Sequence, residues 1–488
     1  MSSPGGAPPG SPLPAASEVP SPAPFKRGQV HDVRIDDLAF GGKGVGRLDR
    51  FVVLVDGGVP GDLVRARFDK VKGRHAEGRV VELLEPSPAR VPAPCIHFGV
   101  CGGCRWQSIP YELQLDFKRR QVIEALRRIG GIEEPPVEPA LASPDVFFYR
   151  NKMEYSFGRD ADGALTLGLH PAASFREVFD LVRCHLQSDG SNGIVASVRE
   201  ACRRAGLPPY DVQAHTGFLR YLTIREGKRT GQVMVNLVTG DGGPHEADWA
   251  ELTRRVAADV CAAHPAISSF LRSINATRST VAFGQREQVL HGQAFIRETI
   301  RGRTFEITAN SFFQTNTLQA ERLFGTVLEM AGLTPEDRVL DLYSGTGAIS
   351  LLAASIASEV RGVESLAESV RGAERNAALN EVRNVWFICA EAGKALQALA
   401  ADRNMPTVII ANPPRAGLNN SVIHRMIRLR PRRIIYVSCN PITLARDLKE
   451  LCGRDYRLES VKPVDMFPHT FHIECVARIS LTGPGACG

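Results

Sequence analysis

Alternating apolar and polar residues between Lys26 and Glu85 predict a run of short β-strands. The apolar segments are separated by glycine-rich turns, of which 40–46 is the longest. Four strands are predicted, at 29–35, 51–55, 63–68 and 78–84. Several short strands at this spacing are typical of a small barrel. Its glycine-lysine turn and basic third strand favour nucleic-acid binding, and a barrel used only for protein contacts is the alternative.

Helical periodicity follows a proline-rich linker at 86–94. Apolar residues recur at helical spacing from Leu113 to Leu126 with basic residues between them, which predicts a helix over 110–129. The segment 147–293 mixes alternating stretches, such as 232–238, with helical ones, such as 247–263. This middle part predicts a mixed α+β region without fixing its topology.

From about residue 336, apolar strands alternate with helices, as in a parallel sheet covered on both faces. Successive strands are predicted at 338–343, 360–363, 385–389, 407–411, 433–438, 456–461 and 472–479. The predicted fold class is therefore α/β, with a Rossmann-like, largely parallel seven-stranded sheet. A small N-terminal β-barrel and a central α+β region precede it.

Length and composition narrow the class of protein. A chain of 488 residues exceeds what one hydrophobic core supports, so several domains are expected. Residues 1–24 are mostly Pro, Ala, Ser and Gly, which predicts a disordered tail and not a secretory signal. No apolar run reaches membrane-spanning length, and we expect a cytoplasmic monomer. The net charge of +6 and basic clusters at 65–79 and 118–128 suit phosphate contacts, which favours nucleic acid modestly.

A nucleoside cofactor is indicated where the first parallel strand ends. The stretch 339–347 runs from a buried strand into a turn that contains Gly345 and Gly347, so the backbone can approach a ligand closely. Glu364 ends the next strand, where a carboxylate can accept the ribose hydroxyls. Ser350 stands where the third glycine of a dinucleotide fingerprint would be, which favours S-adenosylmethionine over NAD. This region resembles a class I methyltransferase.

Three further segments follow parallel strands, at 411–417, 437–441 and 465–474. Together they resemble the RNA 5-methyluridine methyltransferase family, and 309–316 is similar to its substrate-recognition segment. The resemblance extends from about residue 25 to 479. It implies a TRAM-like RNA-binding barrel at 25–86, a central cysteine-bearing domain at 91–300 and a methyltransferase domain at 301–488. We expect the helix at 110–130 to pack on the catalytic domain.

The chemistry of uracil methylation explains two residue types in these segments. Carbon 5 of uracil is a poor nucleophile, and thiolate attack on carbon 6 moves electron density onto it. The resemblance assigns this attack to Cys439, and removal of the carbon 5 proton to Glu474. Cys439 could instead be an apolar filler and Glu474 an exposed strand residue. The turn at Asn440-Pro441 exposes the thiol and favours the nucleophile.

Other positions match cofactor and substrate contacts of the family. The resemblance implies cofactor contacts by Gln314, Tyr343, Gly345, Gly347, Glu364 and Asn412, and substrate contacts by Gln314 and Arg415. At residue 412 the family usually has aspartate, so the asparagine puts that contact, and activity itself, in question. Asn-Pro-Pro also occurs in adenine amino-methyltransferases, but an aromatic residue normally follows there. That activity is one alternative, and an RNA-binding or folding protein with reduced activity is the other.

A cysteine cluster stands apart from this site. Cys95, Cys101 and Cys104 lie on a tight glycine loop suited to one metal or cluster. Spacing alone leaves zinc and a [4Fe-4S] cluster open, with His97 as a possible substitute ligand. The resemblance places the fourth ligand at Cys184 and favours iron-sulfur. Family members with both the barrel and four cysteines more often modify 23S ribosomal RNA than transfer RNA, so structured RNA, preferably 23S rRNA, is the expected partner.

Overall fold

The computed structural model describes residues 25–172, 174, 176–400, 405–453 and 455–482. The predicted tail at 1–24 lies outside this range, as does Cys487. Residues 25–39 with 43–88 form one compact unit, and residues 89–482 make up the bulk of a second. Within the described residues, no helix has the length and apolar character needed to cross a membrane.

The first unit is a closed five-stranded barrel with the strand order β1-β2-β3-β5-β4. Its strands are β1 (Val30–Leu38), β2 (Gly44–Leu48), β3 (Phe51–Asp56), β4 (Leu63–Val71) and β5 (His75–Glu85). The sequence pattern missed β2, because Gly44 and Gly46 occupy its inward positions and conceal the apolar alternation. A Cβ atom on Gly46 would lie 2.4 Å from the carbonyl oxygen of Arg34, so the two strands require glycine to approach this closely.

Two basic side chains of the barrel are already paired with carboxylates. Lys43 Nζ lies 2.6 Å from Glu77, and Arg65 bridges Asp32 and Glu82. Ion pairs at a protein surface contribute little to stability, so this pairing does not by itself exclude contact with phosphate.

The second unit begins with helix α1 (Tyr111–Arg128) and a mixed seven-stranded sheet, whose order is β12-β11-β10-β9-β6-β7-β8. The strands are β6 (Lys152–Arg159), β7 (Leu165–Leu169), β8 (Phe179–Asp180), β9 (Leu219–Glu226), β10 (Val233–Thr239), β11 (Ile267–Ile274) and β12 (Arg286–Gly292). Helices α2 (Asp189–Arg204) and α3 (Glu246–Ala263) share a core with one face of this sheet. The hydrophobic pattern did not predict this sheet order, because buried arginines and serines interrupt it.

A hairpin of β13 (Phe295–Ile300) and β14 (Arg303–Thr308) leads through α4 (Thr317–Ala331) into a second seven-stranded sheet. The strands are β15 (Arg338–Leu342), β16 (Glu359–Glu364), β17 (Val385–Cys389), β18 (Val408–Ala411), β19 (Arg433–Ser438), β20 (Tyr456–Val464) and β21 (Glu474–Leu481). The helices are α5 (Ala348–Ala353), α6 (Ala367–Leu379), α7 (Ala392–Leu399), α8 (Asn420–Leu429) and α9 (Pro441–Leu451).

This second sheet has the order β17-β16-β15-β18-β19-β21-β20, and β21 runs antiparallel to both of its neighbours. Two apolar clusters cover its faces, and Val122 and Leu126 of α1 belong to one of them. Helix α1 therefore packs on α9 and β20 of the parallel sheet, although it lies far upstream in sequence. The predicted fold class is confirmed. The order reverses between β15 and β18, where open parallel sheets bind ligands.

Candidate active site

The glycine turn after β15 has positive φ angles at every second residue, three in all. Tyr343 has φ 64°, Gly345 54° and Gly347 83°, and Gly347 is the N-cap residue of α5. A Cβ atom on Gly347 would lie 2.8 Å from Cζ of Phe387, so both its backbone angle and its neighbour require glycine. Tyr343 holds a conformation that is costly for a bulky residue, as is common where a ligand binds.

This turn forms one wall of a groove between β15 and β18. Four of the predicted cofactor residues line it: Gln314, Tyr343, Gly345 and Asn412. Glu364 does not line the groove but supports it, because its Oε2 accepts a hydrogen bond of 3.1 Å from the amide of Gly345. Gly347 lies behind the turn, where it permits close packing. The structure thus brings together three segments that are distant in sequence.

Asp341, which we did not single out from the sequence, also lines this groove. It is buried, and Ser350 Oγ donates to its Oδ2 at 2.6 Å, while Oδ1 has no hydrogen-bond partner among the described residues. Burial raises the pKa of this carboxyl to about 7, although Ser350 opposes the shift. A buried carboxylate oxygen without a donor suits a cationic ligand such as a sulfonium or an ammonium group. The signal in the sequence was an acid inside an apolar strand.

Cys439 and Glu474 are brought opposite each other by strand register. Ser438 at the end of β19 pairs with Cys475 of the antiparallel β21, so the next pair in register is Cys439 with Glu474. Asn440 Oδ1 accepts from the amide of Ile442 and caps α9, so Cys439 lies between the end of β19 and the start of this helix. The thiol is half-buried and the carboxyl is buried.

Arg415 connects these two groups electrostatically. Burial raises the pKa of Glu474 to about 8, and the guanidinium of Arg415 partly offsets the shift. Burial and the Glu474 charge raise the pKa of the Cys439 thiol, while Arg415 lowers it through its charge and a hydrogen bond. A guanidinium nitrogen also lies 3.3 Å from Nδ1 of His472. A thiol, a carboxyl of raised pKa and a cation are thus close together, which suits nucleophilic attack coupled to proton removal.

Comparisons with known proteins agree with this geometry. A family model described as tRNA (uracil-5-)-methyltransferase matches residues 261–480, and a TRAM domain model matches residues 24–81. An uncharacterized RNA methyltransferase of Chlorobaculum tepidum is 39% identical over 474 residues, which cover 93% of this chain and 96% of the relative. A second, from Halalkalibacterium halodurans, is 38% identical over 94% of this chain and 98% of its own length.

The structure is similar to that of the Pyrococcus abyssi tRNA (uracil-54, C5)-methyltransferase in complex with S-adenosyl-L-homocysteine. The TM-score is 0.71 at 31% identity, with 92% of this chain and all of the other covered. The chain belongs to the RNA 5-methyluridine methyltransferase family. It is an S-adenosylmethionine-dependent RNA methyltransferase.

In this RNA methyltransferase the loop between β20 and β21, residues 465–473, is held by α1. Lys118 is fully buried and donates to Asp465 Oδ1 at 2.6 Å and to the carbonyl of Phe467 at 3.2 Å. Gln114 accepts from the amide of His469 at 2.9 Å. We had expected the basic cluster that starts at Lys118 to contact phosphate. For Lys118 this is wrong, because the side chain is buried against Asp465.

The same loop is tied to the cysteine-bearing segment. The carbonyl of His469 accepts hydrogen bonds from the amides of Arg105 and Trp106, both 3.0 Å long. Arg105 directly follows Cys104 in sequence. The position of the loop that ends at Glu474 therefore depends on the conformation of the chain after the cysteines.

The predicted metal ligands Cys95, Cys101, Cys104 and Cys184 line one cavity of about 610 Å³, here called the cysteine cavity. All four are free thiols. Burial raises the pKa of Cys104 to about 12, and the other thiols contribute to the shift. Within the described part of the chain, no three His, Cys, Asp or Glu side chains are grouped closely enough to hold one metal ion. His97 lines the same cavity, and its Nε2 accepts from the amide of Val182 at 3.1 Å.

The cysteine cavity extends to the candidate active site. Arg415, His472 and Thr470 line it together with the cysteines, as does Thr315 beside Gln314. Four arginines and four histidines line it, and no carboxylate among the described residues does: Arg105, Arg150, Arg183, Arg415, His97, His170, His185 and His472. The four arginines suit this surface to a polyanion, whereas burial lowers the pKa of His97, His185 and His472, so these rings add no charge near neutral pH.

Proposed function

We propose that this RNA methyltransferase transfers a methyl group to carbon 5 of a uridine through a covalent bond between Cys439 and carbon 6. S-adenosylmethionine supplies the methyl group as an electrophilic sulfonium. The observation that carries the proposal is the register of β19 and β21, which pairs Ser438 with Cys475 and so brings the next residues, Cys439 and Glu474, opposite each other.

In the first step the sulfur of Cys439 forms a bond to carbon 6, and the electron pair of the double bond moves toward the carbonyl at position 4. The resulting enolate is nucleophilic at carbon 5 and forms a bond to the methyl carbon, while the bond from that carbon to the sulfonium sulfur breaks and S-adenosyl-L-homocysteine leaves. Arg415 favours this step, because its charge and hydrogen bond lower the pKa of the thiol. The asparagine at 412 keeps an acceptor in the groove but brings no charge.

In the second step Glu474 removes the proton from carbon 5, and the bond between sulfur and carbon 6 breaks as the double bond re-forms. A carboxyl with a pKa near 8 is a stronger base than an ordinary one and suits this proton transfer. Methylation of an adenine amino group requires neither a thiol nor this elimination. The family match and the paired thiol and carboxyl therefore favour uracil over adenine.

Identification of the product tests this proposal. The protein is incubated with labelled S-adenosylmethionine and unmodified RNA, and the labelled nucleoside is identified. We expect 5-methyluridine, none in Cys439→Ala, and a methylated protein-RNA adduct that accumulates in Glu474→Gln. Formation of N6-methyladenosine would contradict the uracil assignment, and binding without any product would contradict turnover.

We further propose 23S rRNA as the substrate. The combination of a TRAM barrel with four cysteines in one cavity supports this choice, whereas the solved relative from Pyrococcus abyssi acts on tRNA. Transcripts of 23S rRNA and of a tRNA pool, offered in the same reaction, separate the two substrates. We expect methylation of the 23S transcript, and exclusive methylation of tRNA would overturn the assignment. A ribosomal substrate places the enzyme in the cytoplasm.

We also propose that the four cysteines hold a [4Fe-4S] cluster. Four free thiols, of which Cys184 is buried and the other three are half-buried, line one cavity and fit such a group. Zinc is the alternative, and the family resemblance favours iron-sulfur. The cluster would stabilise the cysteine loop. Anaerobically purified protein should contain about four iron atoms per chain and absorb in the visible range, both lost in Cys104→Ser. One zinc atom per chain would overturn the proposal.

A further inference from the structure

A second cavity, of about 570 Å³, lies in the mixed sheet of the second unit, and the function described above does not use it. Ser156 and Gly158 of β6 and Tyr221 of β9 line it. Tyr155 and Phe157 alternate with these residues along β6 and pack in the core shared with α2, so the cavity opens mainly on the opposite face of the sheet, although Phe157 also borders it. We call it the flank cavity.

Arginine and tyrosine dominate the lining of the flank cavity. Arg159 and Arg176 are exposed at its rim, while Tyr210 and Tyr221 are half-buried within it. Asp211 is the sole carboxylate among the described lining residues, and its Oδ1 accepts from the amides of Gln213 and Ala214. Cations beside aromatic rings are the combination that binds single-stranded nucleic acid, in which bases stack and phosphates pair with arginine.

Tyr210 is held rigidly before any ligand binds. The guanidinium of Arg220 donates to the carbonyls of Asn275 at 2.8 Å and Thr277 at 2.7 Å, and it lies 4.2 Å from the centre of the Tyr210 ring. The phenol oxygen of Tyr210 is 3.2 Å from Nδ1 of His215. A ring fixed on one face by a buried arginine loses little entropy when a base stacks on it.

The flank cavity and the cysteine cavity share one lining residue. His170 lines both, and its ring is fixed by Ser156 Oγ at 2.8 Å from Nε2 and by the carbonyl of Glu177 at 2.8 Å from Nδ1. The cysteine cavity reaches Arg415 and His472 at the candidate active site. An RNA strand leaving that site therefore meets basic side chains along its way to the flank cavity.

We propose that the flank cavity binds single-stranded RNA next to the methylated nucleotide, with bases against Tyr210 and Tyr221 and phosphates against Arg159 and Arg176. This inference rests on the proposed active site, because the RNA strand is taken to extend from Cys439 toward the flank cavity. It adds a contact on the mixed sheet that neither the TRAM barrel nor the catalytic segments supply.

The length dependence of RNA binding tests the flank cavity. Oligouridylates of about 4 and about 16 nucleotides bracket a single binding site and an extended one. We expect Tyr221→Ala to weaken binding of the longer oligonucleotide about 10-fold and to leave the shorter unchanged, with Tyr221→Phe close to wild type. The double variant Arg159→Ala with Arg176→Ala should make the slope of log binding constant against log salt concentration shallower, by about 0.7 for each phosphate contact that is lost.

The matched control is Arg204→Ala with Arg255→Ala, on the helices of the opposite sheet face, which removes the same charge. The proposal would be overturned if Tyr221→Ala weakened the binding of both oligonucleotides equally. It would also be overturned if the two double arginine variants changed the salt dependence of binding equally. Adduct formation with RNA that contains 5-fluorouridine reports the active site separately. Loss of the adduct with intact length dependence would refute the proposed function and leave the flank cavity as an RNA site.

Discussion

The cofactor groove takes its shape from one short stretch of chain, whereas the loop that leads to Glu474 is positioned by distant groups. In the groove, Gly345 and Gly347 set the turn through their own backbone angles. In the loop, Lys118 and Gln114 of α1 supply the contacts, more than 340 residues upstream of their partners. A local motif can be read from sequence, but a clamp between distant segments cannot. The two regions should also respond differently to mutation.

Removal of Lys118 should have the largest effect on stability. Lys118→Met leaves Asp465 buried without its cation, and we expect the free energy of unfolding to fall by about 3–5 kcal/mol. Lys118→Met with Asp465→Asn should recover most of that loss, because an amide is cheaper to bury than an unpaired carboxylate. Urea unfolding measures both. A single variant as stable as wild type would show that the pair does not hold the loop.

An added methyl group in the cofactor turn should act on ligand binding. Gly347→Ala forces a positive φ angle and a contact with Phe387, a strain of about 1–3 kcal/mol. We expect the affinity for S-adenosylmethionine, measured by calorimetry, to fall at least about 10-fold while the β20–β21 loop is unaffected. Gly372→Ala is the control, since its Cβ atom would meet no atom closer than 3.8 Å. Equal affinities of the two variants would contradict this account of the turn.

The buried Asp341 should make cofactor binding depend on pH. Its pKa of about 7 means that the carboxylate is lost as the pH falls through neutrality, and a cationic ligand then binds less tightly. Affinity should therefore decrease between about pH 8 and about pH 6. Asp341→Asn should lower the affinity at the higher pH about 10-fold and remove the dependence. A pH dependence that persists in this variant would assign it to another group.

The smallest expected effect is that of Arg415 on the pH at which the methylation rate rises. Turnover requires the carboxylate of Glu474, whose pKa is about 8, and the thiolate of Cys439, whose pKa burial raises, so the rate should increase with pH through about 8 and continue to increase at higher pH. Arg415 lowers both pKa values, and Arg415→Ala should move the rise upward by roughly 1 unit. Arg415→Lys keeps a positive charge, so the pH at which its rate rises should lie between those of the wild type and Arg415→Ala. A profile unmoved by Arg415→Ala would place its charge away from both groups.

The sequence predicted those parts of the site in which neighbouring residues carry the information. Motifs at the ends of strands predicted the glycine turn after β15 and the half-exposed Cys439 before a helix cap. They also predicted that Gln314, Tyr343 and Asn412 approach one groove. The parallel sheet was also predictable, because its strands are apolar on both faces. Each of these features depends either on residues that are neighbours in sequence or on the fact that parallel strands end at the same edge of a sheet.

Other features depended on partners that the sequence does not identify. Lys118 reads as a surface cation until Asp465 is brought against it. Asp341 reads as part of a motif until burial leaves one of its oxygens without a donor. The strand order of the mixed sheet was not predicted, because Arg220, Arg225 and Arg272 are buried in strands, where tertiary hydrogen bonds replace the apolar pattern.

The site of covalent attachment to RNA tests the central claim most directly. RNA containing 5-fluorouridine lacks the proton that Glu474 would remove, so the reaction should stop at a stable methylated adduct. After nuclease and protease digestion, mass spectrometry should find the fluorinated, methylated nucleotide on the peptide that contains Cys439. Attachment to a different residue, or an adduct that still forms in Cys439→Ala, would contradict the account.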